Sequence, residues 1–216
     1  MTSDKPIAAL FDFDGVMVNT EWQYSMFWNQ IGKEYFPEIE AFGQLIKGQT
    51  LVQIYNKEFA GFVDEQPKIT ARLDEFESKM SFDYITGVVD FIMELREHGV
   101  KIAIVTSSDQ KKMNNAYRAH PELKQLADKI LIAEMFKRSK PEPDCFLLGA
   151  EVFDTVAENC VVFEDSLHGL QAGNAAGMKV VGLATTFPEE TIKDLCDLVI
   201  PDFTAFNYEK MMSLLS

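Results

Sequence analysis

This 216-residue sequence is poor in cysteine and histidine, with three of each. Cys145, Cys160 and Cys196 have neither the even number of a disulfide framework nor the close spacing of a zinc site. The sequence therefore excludes a disulfide-stapled secreted scaffold. It predicts buried thiols in a reducing compartment, which we expect to be cytoplasmic.

The sequence also lacks a surplus of positive charge and any long apolar run. Its 20 Lys and Arg residues oppose 34 Asp and Glu residues, a net charge of −14, so neither nucleic acid nor an anionic membrane is an expected partner. No apolar stretch reaches the length of a membrane span, and the run after residue 6 is too short for a signal peptide. The length of 216 residues allows one large domain, or one core with an insertion, and the 47% hydrophobic content supports a real core.

An apolar run from Ile7 to Phe11 predicts a buried first strand, and Asp12 and Asp14 follow it directly. Burying a carboxylate is costly unless it is paired or bound to a cation. Residues two apart point to the same side of an extended strand, so the pair invites a metal ion. A turn at Asp14 and Gly15 would explain Asp14 but not Asp12, and this stretch alone leaves a site and a turn equally open.

Strand-like and helix-like segments alternate after residue 87, which predicts an α/β fold with a Rossmann-like parallel sheet. Strands are expected at 7–11, 100–105, 130–133, 160–163, 179–183 and 198–200. Residues 19–85 instead have helical patterning, and helices are expected at 20–32, 51–60 and 67–80. The simplest organisation is a core of residues 1–18 and 86–216, with a small all-α cap inserted at 19–85.

Acidic residues follow two of the predicted strands, at Asp12 and Asp14 and again at Glu164 and Asp165. If the strands are neighbours, their carboxyl ends meet at the edge of the sheet where open α/β folds bind ligands. Four acids in one place would need a cation to remain ionised. Because every donor is an oxygen, the pattern predicts Mg²⁺ before Ca²⁺ or Zn²⁺.

Groups suited to an anion converge on the same edge. Thr106 and Ser107 follow another strand and offer a hydroxyl and backbone N–H groups, and a helix that starts near Ser166 brings its positive end. Lys140 lies in a short proline-flanked turn. Residues 164–166 taken alone could equally be a helix cap, and Lys140 taken alone would be a surface lysine. Together these groups predict a phosphate site.

The ordered set resembles the four motifs of the haloacid dehalogenase (HAD) superfamily. Residues 12–16 (DFDGV) are similar to the first motif, Thr106 to the second, Lys140 in SKPEP to the third and residues 164–166 (EDS) to the fourth. The inserted helical segment resembles the C1 cap of the β-phosphoglucomutase-like branch. The resemblance spans nearly the whole chain.

The resemblance implies roles for the acids. Asp12 would be the nucleophile that forms an aspartyl-phosphate, and Asp14 would be the general acid and then the base. Asp12, the Asp14 backbone carbonyl and Asp165 would hold Mg²⁺, with Glu164 in a direct or water-mediated role. Phosphoryl transfer depends mainly on alignment and charge neutralisation, which such a group of residues supplies.

The remaining implied roles concern the phosphoryl group and the substrate. Thr106 and Lys140, with Ser107, would hold the transferring phosphoryl group. A stretch of the insertion resembles the specificity loop that the cap sends into the site, and it comprises Lys47, Gly48, Gln49 and Thr50.

Three positions bear on the reaction. The sequence has Leu51, Tyr24 and Asn19 where the β-phosphoglucomutase pattern has arginine, histidine and aspartate. We therefore expect a phosphatase acting on a small sugar phosphate or related metabolite, with a β-phosphoglucomutase-type phosphomutase as the alternative. A receiver-type signalling module is a distant alternative, because its phospho-acceptor does not end the first strand. A monomer or weak dimer is expected.

Overall fold

The computed structural model describes residues 5–216, so the part of the predicted core and of the N-terminal segment that falls on residues 1–4 lies outside it. The chain forms two compact units. The first runs up to Asn19 and resumes from Phe82 to Ser216, and the second is Thr20–Ser81.

The first unit contains a six-stranded parallel sheet, which confirms the predicted α/β class. Its strands are β1 (Ala8–Phe11), β2 (Lys101–Val105), β3 (Lys129–Leu131), β4 (Cys160–Glu164), β5 (Lys179–Leu183) and β6 (Leu198–Ile200). Their order is β3-β2-β1-β4-β5-β6, so β1 lies between β2 and β4. Every residue of β1 and β4 is buried, as the continuous apolar runs predict for strands covered on both faces.

Helices account for most of the remaining regular structure. In chain order they are α1 (Glu21–Tyr35), α2 (Phe42–Leu45), α3 (Leu51–Lys57), α4 (Gln66–Glu77), α5 (Val88–Glu97), α6 (Gln110–Ala119), α7 (Leu123–Leu126), α8 (Asp144–Glu151), α9 (Leu167–Ala175), α10 (Glu189–Ile192) and α11 (Tyr208–Leu214). None of those within residues 5–216 has both the length and the apolar character needed to cross a bilayer.

An aromatic cluster joins the two central strands on one face of the sheet. The rings of Phe11 and Phe163 are stacked 4.5 Å apart between centroids. Phe91 from α5 meets both at 6.1 and 5.5 Å, and Phe203 packs on the same group. These side chains fix β1 beside β4 in a dry core, where buried aromatic pairs contribute beyond their area alone.

The second unit is all-helical and has its own aromatic core. Phe59 is fully buried and contacts the rings of Trp28 and Phe42. On the surface, both terminal guanidinium nitrogens of Arg72 in α4 donate to the Glu34 carboxylate in α1 at 2.7 Å. Aromatic residues thus supply most of the core of this small helical unit.

The observed element boundaries differ from the predicted ones where tertiary contacts override the local pattern. Helix α1 continues to Tyr35 beyond the predicted end at Gly32, because that glycine serves close packing: a Cβ there would lie 2.3 Å from the Cβ of Phe42. The predicted strand 130–133 ends at Leu131, since a 3₁₀ turn begins at Ala133. The single-turn helices α2 and α7 are too short to show a period and were not predicted.

Residues 82–85, assigned to the insertion from the sequence, pair with the first unit instead. The Asn19 N–H donates to the Asp83 carbonyl at 2.8 Å, and the Ile85 N–H donates to the Met17 carbonyl at 3.0 Å. Phe82 is buried and its ring lies 6.3 Å from that of Phe13. The returning chain therefore joins the first unit at Phe82, four residues before the predicted start of the core at 86.

We predict that Phe163→Ala lowers the free energy of unfolding by about 3–5 kcal/mol, because it removes a fully buried ring from the stack on β1. Urea unfolding followed by far-UV circular dichroism measures the change. Met93→Ala on the exposed face of α5 is the control and should change stability by about 0.5 kcal/mol or less. Equal losses in the two variants would contradict the assigned role of the aromatic cluster.

Candidate active site

The candidate site lies where the strand order reverses. Strands β2 and β3 follow β1 on one side, whereas β4 to β6 follow on the other. The residues after β1, β2 and β4 therefore share one edge, and the strand register pairs Phe11 with both Ile104 and Phe163. Such a switch point is the usual ligand site of an open parallel sheet.

Lys140 joins two buried carboxylates at this edge. Its Nζ lies 2.5 Å from Asp12 Oδ1 and 2.6 Å from Glu164 Oε1. Lys140 is only 5% exposed, so the alternative that it is a surface lysine is wrong. Its Nζ also lies 5.1 Å from the ring centroid of Phe146, within the range of a cation–π contact. The turn at 139–143 thus delivers one cation to two acids from different strands.

The charges of this group perturb each other strongly. Burial raises the pKa of Asp12 to about 8, since the attraction of Lys140 offsets only part of the lost hydration and the charges of Glu164 and Asp14 add to the rise. Burial acts to lower the pKa of Lys140, but the charges of Asp12 and Glu164 outweigh it and hold that pKa above its ordinary value. The site therefore contains a protonated Lys140 beside Asp12, and the Asp12 carboxyl group would lose its proton if further positive charge were bound nearby.

Glu164 makes contacts on both of its carboxylate oxygens. Oε1 accepts from Lys140, and Oε2 accepts from the backbone N–H groups of Asp165 at 2.8 Å and Ser166 at 2.7 Å, and from the Ser166 hydroxyl at 3.0 Å. The Ser166 Oγ in turn accepts from the Gly169 N–H, which confirms Ser166 as the cap of α9. Backbone donors predicted to serve an anion at this helix end are thus used, at least in part, by the protein's own carboxylate.

Asp165 is 2% exposed and lies against the turn that follows β1. A Cβ on Gly15, whose φ is +73°, would lie 1.9 Å from Asp165 Oδ2, so only glycine fits there. The Thr186 hydroxyl donates to Asp165 Oδ2, and the Thr185 hydroxyl donates to the Gly15 carbonyl at 2.6 Å. The loop after β5 therefore holds both the acid and the turn.

Asp14 lies beyond the end of β1, in a tight turn. The Met17 N–H donates to the Phe13 carbonyl at 2.9 Å, and Asp14 forms an isolated β-bridge with Val18. The expected extended-strand geometry of Asp12 and Asp14 is therefore wrong, and a turn sets their relative directions. The Asp14 Oδ2 accepts from Lys112 Nζ at 2.5 Å and from the Ser108 hydroxyl at 3.0 Å.

Thr106 follows β2 and is 1% exposed. Its N–H donates to the Leu131 carbonyl at 2.9 Å, and its Oγ1 accepts from the Ser108 N–H at 3.0 Å. Ser107 is half-buried directly after it. Both residues lie at the predicted edge, in a loop whose hydroxyl and backbone groups are held by local hydrogen bonds.

The four predicted specificity residues belong to the second unit, between α2 and α3. The Thr50 hydroxyl accepts from the Gln53 N–H at 3.3 Å, and Gln53 Oε1 accepts from the Thr50 N–H at 2.7 Å. This reciprocal pair is a capping box that begins α3. The other three predicted members are Lys47, Gly48, which has a φ of +73°, and Gln49, whose side chain donates to the Leu45 carbonyl.

The donor chemistry fits a hard divalent cation. Asp12, Asp14, Glu164 and Asp165 carry four formal negative charges against the two positive charges of Lys112 and Lys140. Within residues 5–216 no three His, Cys, Asp or Glu side chains gather closely enough to hold a metal ion by themselves. Mg²⁺ commonly binds through one or two carboxylates and completes its shell with water and phosphate oxygens, so this observation is compatible with it.

Two groups of residues in the site were missed from the sequence. Lys112 lies in the first turn of α6, and the Asp109 carboxylate that caps this helix accepts its N–H at 2.8 Å. The buried face of α6 includes Met113 and Ala116, and it was the only available signal that Lys112 points inward. Thr185 and Thr186 after β5 were not predicted as site residues, because no polar cluster was recognised at the end of that strand.

Comparison with known proteins identifies a matching family and similar proteins for this chain. The sequence model of the haloacid dehalogenase-like hydrolases matches residues 9–183. The Arabidopsis thaliana protein SUPPRESSOR OF QUENCHING 1 is 29% identical over 211 residues, which cover 92% of this chain and 20% of that protein. The chain thus spans about a fifth of this relative's length.

Two further matches cover most of both proteins. A phosphorylated carbohydrates phosphatase of Thermotoga maritima is 28% identical over 183 residues, covering 80% of this chain and 82% of the relative. The crystal structure of a β-phosphoglucomutase from Clostridium difficile superposes with a TM-score of 0.80 at 21% identity and covers 97% of each chain. At this identity the structural match establishes a shared fold.

We predict that Lys140→Met lowers the free energy of unfolding at pH 8 by about 3 kcal/mol or more, because it leaves two buried carboxylates without their cation. The loss should shrink as the pH falls through the raised pKa of Asp12 and its carboxyl group becomes protonated. Chemical denaturation at several pH values measures it.

Lys179→Met is the matched control, since it removes an exposed lysine–aspartate pair and should cost about 1 kcal/mol or less. Glu164→Gln added to Lys140→Met should restore part of the stability. A Lys140→Met protein as stable as wild type at pH 8 would contradict the electrostatic role of this lysine.

Proposed function

Since this chain belongs to the haloacid dehalogenase-like hydrolase family, we propose that it hydrolyses a small sugar phosphate or a related phosphorylated metabolite through an aspartyl-phosphate at Asp12. The observation that supports this most is the position of Asp12: buried at the switch point, beside the cation of Lys140 and two residues from the acid Asp14. The phosphatase activity given in the name of the Thermotoga maritima relative favours the same substrate class.

The first step transfers the phosphoryl group to the enzyme. A carboxylate oxygen of Asp12 attacks phosphorus, a new P–O bond forms, and the bond from phosphorus to the substrate oxygen breaks. Asp14 supplies the proton that the leaving oxygen takes up. Lys140 reduces the repulsion between Asp12 and the phosphate dianion, and Thr106 with Ser107 presents hydroxyl and N–H donors to the phosphoryl oxygens.

The second step releases inorganic phosphate. Asp14, now ionised, takes a proton from water while the water oxygen attacks phosphorus. The bond between phosphorus and the Asp12 oxygen breaks, and both carboxyl groups return to their starting states. The same residue serves as acid and base because the two steps move one proton out and one proton in.

The carboxylates of Asp12 and Asp165 and the Asp14 backbone carbonyl would hold Mg²⁺, which would neutralise charge on the transferring phosphoryl group when bound. Glu164 has the contacts of a residue that fixes Lys140 and the start of α9, and we assign it this role in preference to a direct metal bond. Thr186 would orient Asp165 for the metal.

We assign the second unit the function of a cap that selects the substrate, with Lys47, Gly48, Gln49 and Thr50 as its specificity loop. Phosphatase chemistry is favoured over β-phosphoglucomutase-type isomerisation by Asn19, Tyr24 and Leu51. The Tyr24 hydroxyl, at the position of the expected mutase histidine, donates to Glu77 at 2.7 Å within this unit.

The proposed setting is a reducing compartment such as the cytoplasm, and small metabolites are the proposed partners of a monomer or weak dimer. The three cysteines are unpaired thiols, two of them buried. Burial raises the pKa of Cys145 to about 11 and that of Cys160 to about 12, so neither is a reactive thiolate at neutral pH.

We predict that the protein with Mg²⁺ releases phosphate from sugar phosphates in a metabolite panel, and that chelation abolishes this activity reversibly. Asp12→Asn should reduce turnover by at least about 10³-fold, because the amide removes the nucleophile. A rapid acid quench followed by mass spectrometry should find one phosphoryl group on Asp12 in the wild type.

Asp154→Asn, at a fully exposed carboxylate, is the matched control and should retain activity. Full activity of Asp12→Asn would refute the mechanism. Bisphosphate-stimulated conversion of β-glucose 1-phosphate to glucose 6-phosphate would instead identify a phosphomutase.

We predict that Lys47→Ala raises KM about tenfold for sugar phosphates, the equivalent of about 1.4 kcal/mol, while KM for acetyl phosphate changes little. The reason is that a cap-side contact recognises the part of the substrate beyond the phosphoryl group. Lys57→Ala, which alters a lysine paired with Glu58 in the same unit, is the control. Equal changes in KM for both substrates would contradict the assignment of Lys47 to the specificity loop.

A further inference from the structure

Two side chains hold the same oxygen of Asp14. The Lys112 Nζ lies 2.5 Å from Asp14 Oδ2, and the Ser108 Oγ lies 3.0 Å from that atom. Lys112 is 98 residues away in sequence and approaches from the first turn of α6, whereas Ser108 approaches from the loop after β2. The contact is therefore built by the tertiary fold rather than by local chain geometry.

Lys112 is an unusual lysine in this molecule. It is 6% exposed, and the carboxylate it meets retains 16% of its side-chain exposure. Burying an ammonium group is costly unless a carboxylate compensates it. The Asp109 carboxylate caps its helix by accepting the Lys112 N–H at 2.8 Å, and burial restricts the Lys112 side chain more than that of a surface lysine.

We propose that Lys112 is a positioning residue for the acid–base group Asp14, an inference that rests on the proposed function. The turn at 12–18 fixes the backbone of Asp14, but a carboxyl group can still rotate about its side-chain bonds. The contacts of Lys112 and Ser108 with Oδ2 restrict that rotation. They hold the carboxyl group at the edge where Asp12 would receive the phosphoryl group.

Such positioning affects one part of the reaction selectively. Proton donation matters when the leaving oxygen is a poor leaving group, and it matters little when that oxygen departs readily as an anion. A residue that bound the phosphoryl group itself would affect all phosphate esters alike. Loss of Lys112 should therefore slow the hydrolysis of phenyl phosphate more than that of p-nitrophenyl phosphate. The two esters are similar in size, but phenolate is the more basic leaving group.

The test compares kcat/KM of the Mg²⁺-loaded full-length protein and its Lys112→Met variant on these two esters, because kcat/KM reports the steps up to departure of the leaving group. We expect a loss of about 10- to 100-fold with phenyl phosphate and of about threefold or less with p-nitrophenyl phosphate. Lys112→Arg, which keeps the charge and a donor, should recover part of the loss with phenyl phosphate.

Lys179→Met is the matched control, because its lysine–aspartate pair lies at the start of β5, away from the site, and it should leave both values unchanged. Thermal unfolding of every variant verifies that it is folded at the assay temperature; should Lys112→Met be unfolded, Lys112→Gln replaces it. Equal losses on the two esters, or no loss on either, would overturn the role of Lys112. Wild-type protein that hydrolyses neither ester and forms no phosphoenzyme would overturn the proposed function, and this inference with it.

Discussion

The contact of Lys140 with Asp12 and Glu164 is the interaction on which the rest of the site depends. One buried ammonium group contacts the carboxyl groups of Asp12 and Glu164, which lie at the ends of two adjacent strands, at 2.5 and 2.6 Å. Without it, the ends of β1 and β4 would bring uncompensated negative charge into the dry edge of the sheet. The aromatic stack beneath supplies the rigid strand pairing that the short ion-pair distances require. Packing and electrostatics therefore support each other at the switch point.

The strands and the acids that follow them were largely predictable. Continuous apolar runs indicate buried strands, and burying the carboxylates that end them is costly unless those carboxylates are paired or bound to a cation. Strands β5 and β6 agree with the sequence prediction residue for residue. The parts that were not predictable depend on contacts distant in sequence. Lys112 resembles an ordinary helix lysine until α6 is folded against the turn at Asp14, and Thr186 acquires significance only beside Asp165. Gly32 resembled a helix end until Phe42 was seen against it.

The two units have separate hydrophobic cores, and both contain packed aromatic rings. Aliphatic residues dominate the core on one side of the sheet, whereas the helical unit relies on aromatic rings such as Phe59 and Trp28. A closely packed small helical unit with its own core provides a surface whose residues can change without disturbing the sheet. This division is compatible with the proposed function, in which the first unit carries the phosphoryl chemistry and the second unit selects the substrate.

Gly15 has a consequence for how this protein could be altered. Its Cα faces Asp165, while its carbonyl accepts a hydrogen bond from Thr185. The turn after β1 and the loop after β5 are consequently held together as one structural unit, although 170 residues separate them in the chain. Mutant libraries that vary only the turn after β1 or only the loop after β5 will mostly produce proteins in which the acidic residues of the site are misaligned. Varying the second unit leaves this part intact, which gives the proposed cap the widest freedom for directed evolution of substrate preference.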